Sequence, residues 1–248
     1  MILEIKLQCD IPKVFSIEEV WAIRDAVFTS LRLLSSGSFV IIDLGSSFNY
    51  ITQGEFKSQN ILRSSKGRCG RSFSLDAEMI AKLREYWPSI RKIMESDSHY
   101  LKLPAQRLFD GAERKKEENA ILDYAIGLER LLTSGIKNEL SYRFALRGAT
   151  ILGLDGCNKH LFFKDLKNFY DLRSSIIHGS TELKASELSS ACSIGENYLR
   201  KIWWWFFTNG FTDAKKGLKI GTDNIDDFIL GNLTPAEEER MKEESEDL

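Results

Sequence analysis

Residues 165–179 read DLKNFYDLRSSIIHG, and the fold reading starts there. Leu166, Phe169/Tyr170 and Ile176/Ile177 recur at the spacing of one helix face. The member of that stripe due at position 173 is Arg173. A neighbouring stripe is polar: Asp171, Ser174/Ser175 and His178. Gly179 then supplies the residue type that ends helices in a left-handed turn. A guanidinium on an apolar face is costly unless it meets an anion, a partner or a ligand.

The surroundings are helical as well. Leu75, Met79, Leu83 and Trp87 predict a helix that stops at Pro88, and residues 105–110 a shorter one. Ile121, Tyr124/Ala125, Leu128 and Leu131/Leu132 form a stripe closed by Gly135. Helices are expected over 139–152, 165–178 and 185–207. The last carries Leu188, Ala191/Cys192, Gly195, Tyr198/Leu199, Ile202 and Phe206 on one face. Short connections favour an antiparallel bundle, with the aromatic run at 203–207 in a core or interface. The first part reads differently. A strand is expected over 1–8, a helix from the capping box Ser16-Ile17-Glu18-Glu19 to Leu34, and a strand over 39–44. Residues 45–72 read as a polar loop or boundary. The expected chain is therefore mainly α: a small mixed α/β region over 1–73, a helical domain over 74–235, and a disordered acidic tail over 236–248.

Composition narrows the classes. The chain has 248 residues, 43% hydrophobic and 28% charged, with a net charge of −2, which is ordinary for a globular protein. The longest apolar run, residues 202–207, is far short of the roughly 18 residues of a membrane span. Glu4 and Lys6 interrupt the first apolar stretch, so no secretory signal is expected and the cytoplasm is the expected location. The four cysteines are widely spaced and without CxxC, so neither a disulfide framework nor a zinc site is expected. No cofactor is expected either. Charge is uneven. The tail carries −5, leaving +3 on the rest, and residues 57–71 hold Lys57, Arg63, Lys66, Arg68 and Arg71 without an acid. A basic Gly/Ser-rich loop of this kind suits phosphates, although a plain solvated loop has the same composition.

Arg173 and His178 lie five residues apart, about 7.5 Å of rise and about 140° of rotation along a helix. A long arginine side chain spans that difference, so both side chains can address one small group. His178 falls in the last turn, where the helix dipole favours imidazolium, and a histidine titrating near neutrality suits proton transfer. The planar fork of arginine suits a phosphate gaining charge. Together the two suit RNA cleavage by the ribose 2′-OH, without a metal. The structural alternative pairs Arg173 with Glu129 or Asp171 and leaves His178 an ordinary helix-end residue.

The run LRSSIIHGS (172–180), after FKDLKNFYD, resembles the Arg-x4-His motif of HEPN domains. AILDYAIGLERLLTSG (120–135), ELSYRFALRGATILG (139–153), LRLLSSGSF (31–39) and the helical stretch 74–116 are similar to the Apea-like branch of bacterial HEPN proteins. The resemblance implies an all-α domain of four or five helices and a metal-independent endoribonuclease of toxin–antitoxin, abortive-infection or CRISPR defence. It implies RNA as substrate and a homodimer whose two Arg-x4-His helices face each other. An antitoxin or a phage-derived trigger protein is implied as a further partner. By position, Arg173 and His178 match the catalytic pair, while Glu129 and Arg147 match charged positions that orient the arginine or touch phosphate; the alternative for these two is a buried ion pair that holds the helices together. Ser174 departs from the Asn, Asp or His that follows the arginine in many active members. Some HEPN proteins are non-catalytic dimers that bind RNA, nucleotides or proteins, and the resemblance admits that function too.

Overall fold

The computed structural model describes residues 17–35, 46–52, 55–61, 76–97, 99–133, 137–154, 156–179, 183–208 and 225–226. Among them lie seven helices and one antiparallel hairpin, so the protein is mainly helical. The helices are α1 (Ile17–Leu34), α2 (Ala77–Glu95), α3 (Lys102–Glu113), α4 (Glu117–Leu132), α5 (Leu140–Leu152), α6 (Lys159–His178) and α7 (Ala185–Thr208). The hairpin pairs β1 (Ser46–Thr52) with β2 (Glu55–Ile61). No helix among the described residues is long and apolar enough to cross a membrane.

The bundle is built around α4. Ala120, Ile121, Tyr124, Ala125, Leu128, Leu131 and Leu132 are all buried, more than one apolar stripe alone would cover. Accordingly α4 packs on α3, α5, α6 and α7. Helices α5 and α6 run antiparallel: Gly153 lies against Lys159, Gly148 against Leu166, and Phe144 against Tyr170. At Gly195, α7 lies tight against its neighbours. A Cβ there would meet the Phe169 ring of α6 at 2.7 Å and Tyr124 of α4 at 3.1 Å. The aromatic run of α7 belongs to the core, with Trp203 and Phe206 fully buried and the Trp203 indole donating to the Leu101 carbonyl.

Helix α1 packs on α2 and α3, although it lies before the boundary expected at residue 73. Val27, Phe28 and Leu31 form a second apolar cluster with Leu83, Trp87 and Phe109, and Leu33 joins the main core. Three sequence expectations need correcting. First, α2 runs through Pro88 to Glu95. Pro88 is exposed, so the carbonyl it leaves without a donor faces water, while Ile90 and Ile93 beyond it are buried. Second, α6 begins at Lys159 rather than Asp165 because the Asn158 side chain caps its first turn. Third, residues 46–52 and 55–61 pair as antiparallel strands where a loop was expected, and Lys57 lies in β2 opposite Tyr50. Alternation of Phe48, Tyr50 and Thr52 carried that signal beneath the Gly/Ser composition. The strands expected over 1–8 and 39–44, the stop at Gly135, the bases Arg63, Lys66, Arg68 and Arg71, and the acidic tail lie outside the described residues.

Candidate active site

Helix α6 changes character along its length. Leu166 and Phe169 are buried, whereas no residue from Tyr170 to Gly179 is. Gly179 adopts φ 63°, and its N–H closes the helix on the Ser175 carbonyl at 3.0 Å. A left-handed residue cannot continue the helix, so His178 stands in the final turn, where it is exposed.

Arg173 lies one turn further in and is half-buried. Its Nη2 donates to the Glu129 carboxylate of α4, at 3.1 and 3.3 Å from the two oxygens. Its guanidinium sits over the Tyr170 ring, 5.5 Å from the centroid, as a cation over a π face. Tyr170 in turn packs against Phe144 of α5. Of the two anions weighed for Arg173, Glu129 is therefore its partner. Asp171 lies exposed on the helix, where its backbone carbonyl accepts from Ser175 Oγ at 3.1 Å. Ser174 is half-buried beside Arg173.

Electrostatically the cluster is strained. Burial pushes the Glu129 carboxyl above the usual carboxylate range, and Arg173 pulls it down only in part. Burial, then the Glu129 charge, push the Tyr170 phenol upward, with Arg173 again opposing. Arg173 thus serves two groups that both disfavour negative charge here.

Arg147 is placed elsewhere. Of the alternatives for it, contact with Arg173 or phosphate against a buried ion pair, it takes the ion pair and is completely buried. Its Nε and Nη2 hold the Asp226 carboxylate at 2.8 and 2.6 Å, and its Nη1 donates to the Leu132 carbonyl at 2.8 Å. All three contacts are inside the protein, so direct phosphate contact is not what this guanidinium does. Sequence reading missed Asp226 and the part played by Tyr170. An aromatic three residues before a stripe-breaking arginine was the available signal for Tyr170; nothing local pointed to Asp226.

A groove of about 480 Å³ runs between α6 and α7, lined in part by Asn168, Leu172, Ser190 and Ile194. Neither Arg173 nor His178 lines it. Compared with family models, curated proteins and solved structures, the chain has no significant match to any of them.

Proposed function

We propose that the protein is a metal-independent endoribonuclease of the HEPN type, acting in bacterial defence or as a toxin, and working as a cytoplasmic homodimer through α6. One observation carries the reading. The half of α6 holding Arg173 and His178 is the half the bundle leaves accessible, with the arginine braced by Glu129 and Tyr170 and the histidine at the open end. In this reading His178 accepts the proton of a ribose 2′-OH. The 2′ oxygen bonds to phosphorus, the P–O5′ bond breaks, and the leaving oxygen takes a proton from an imidazolium. Arg173 stabilises the charge of the phosphorane. The products are a 2′,3′-cyclic phosphate and a 5′-OH. Ser174 and Asp171 flank the pair, and Lys57, Arg63, Lys66, Arg68 and Arg71 contact RNA phosphates. Ile177, 51% exposed next to His178, supports pairing of two α6 helices, which would close a cleft around groups that stand open in one copy. An antitoxin or a phage-derived protein would set when the site works.

A second reading has its own support. Arg173 is already neutralised by Glu129, as it would be in a non-catalytic HEPN dimer that binds RNA, nucleotides or a protein. RNA cleavage in EDTA separates the two. The nuclease reading expects cleavage by the wild type to 2′,3′-cyclic phosphate ends, loss of at least about a hundredfold in His178→Ala and Arg173→Ala, and a dimer by sedimentation. Equal cleavage by all three proteins removes the pair from catalysis. A wild type that binds RNA and leaves it intact favours the second reading.

A further inference from the structure

An α-helix leaves its last four carbonyls without partners inside the helix. In α4 these belong to residues 129–132. The Glu129 carbonyl accepts from the Thr133 N–H and the Thr133 hydroxyl, both at 2.9 Å. The Leu132 carbonyl accepts from Arg147. The last turn of α4 is therefore held in part by a guanidinium with no exposed surface.

A buried guanidinium needs an anion in fixed geometry, or the charge is left uncompensated. Asp226 supplies it from beyond α7. Its two oxygens meet two nitrogens of Arg147 side by side, the geometry that makes such pairs strong and directional. Arg143, one turn earlier on α5, adds a contact at 3.4 Å. The neighbouring Ile225 is 1% exposed and belongs to the core, which seats the aspartate. The Glu129 carboxylate that holds Arg173 is on the same final turn of α4 whose end Arg147 grips.

We infer that Asp226 is a positioning residue for the candidate site: through Arg147 it sets the end of α4, and with it the Glu129 carboxylate on which Arg173 rests. The inference rests on the nuclease reading for its effect on cleavage, but the structural link can be read without it. Without the aspartate charge, the Arg147 fork turns to other acceptors and the Leu132 carbonyl loses its donor. The last turn of α4 loosens, and the Arg173–Glu129 contact lengthens.

The test uses the full chain with Asp226→Asn, read by carbon-13 NMR titration of the Glu129 carboxyl and by RNA cleavage in EDTA. Arg173 and Tyr170 of α6 are the ionisable groups set against that carboxyl. If the link holds, Glu129 titrates higher in the variant, because the guanidinium that lowers it has withdrawn. Removing a negative charge with no movement would shift it lower, so the sign separates positioning from simple electrostatics. In cleavage, kcat falls about tenfold while KM stays within about twofold, and Asp226→Glu restores both. Should Asp226→Asn fail to fold, the double variant Arg147→Met with Asp226→Leu replaces the ion pair by apolar volume. It still strips the Leu132 carbonyl of its donor; because loss of the Arg147 charge by itself raises Glu129, the readout here is Arg173→Gln, which moves Glu129 less in this background than in the wild type if the Arg173–Glu129 contact has lengthened. A folded Asp226→Asn variant whose Glu129 titrates as in the wild type, or lower, or a double variant in which Arg173→Gln moves Glu129 as far as in the wild type, overturns the inference and leaves the nuclease reading standing. A wild type that cleaves no RNA removes that reading, while the titration still decides the link.

Discussion

Arg173 was legible in the sequence as an anomaly, one cation where a stripe of apolar residues required a carbon side chain. Its partner was less plain, since Asp171 on the same helix and Glu129 on an earlier one were both candidates. Packing chose Glu129, half-buried on α4, over the exposed Asp171 on the same helix. Arg147 could not be read the same way. In RFALRGATIL it is one arginine among apolar neighbours, and its carboxylate lies 79 residues further on. Sequence patterns report period and not long-range pairing, so a buried ion pair of that span leaves no local trace. The Arg173–Glu129 pair makes a direct prediction. A carboxyl whose folded value is raised binds its proton more tightly in the folded chain. The stability it contributes is present at low pH and is lost as pH rises through that raised value. Arg173→Gln removes the downward pull, so Glu129 should titrate higher and this loss of stability should move to higher pH. Carbon-13 NMR of the carboxyl reads the shift directly, and an unmoved value would mean the pair does not persist in solution.

At the scale of elements, helices with well-spaced apolar residues were legible, and their ends were not. The cores of α4, α5 and α7 follow stripes visible in the sequence. The first turn of α6 does not, because Leu161, Phe162 and Phe163 are adjacent rather than spaced, and the Asn158 cap alone marks the start. In α2 a rule of thumb gave way to burial. Proline removes a backbone donor and crowds the preceding turn, yet Ile90 and Ile93 pack on the far side of it. The penalty is present in the native state and is therefore recoverable. Pro88→Ala should raise stability by about 1–3 kcal/mol, seen as a higher urea midpoint at unchanged slope. No gain would argue that the helix breaks at residue 88 in solution.

At the scale of the whole molecule, α1 is tied to α7. The final carbonyls of α1 find donors on α7: Arg200 Nε meets the Arg32 carbonyl at 2.7 Å, and the Trp204 indole meets that of Leu33 at 2.6 Å. Arg32, itself 3% exposed, reaches Glu113 of α3 at 2.8 Å. Burial lowers the pKa of Arg200, and the Glu196 carboxylate beside it opposes that shift. Nothing in a window of sequence announces a clamp of this reach, which is why α1 reads as part of a separate N-terminal region. Trp204→Phe keeps a ring against Tyr86 and Phe207 but deletes the donor. It should cost about 1–2 kcal/mol, and amide hydrogen exchange should quicken first at residues 31–35. Uniform quickening across the bundle would deny the clamp a local role.

That tie also sets an order of events on the ribosome. Residues 17–34 leave the exit tunnel long before residues 200–204 are translated, so the last turn of α1 waits for its donors on α7. Asp226 emerges later again. A nascent polypeptide of this design carries its arginine and histidine past the translation machinery before Asp226 arrives to set the end of α4.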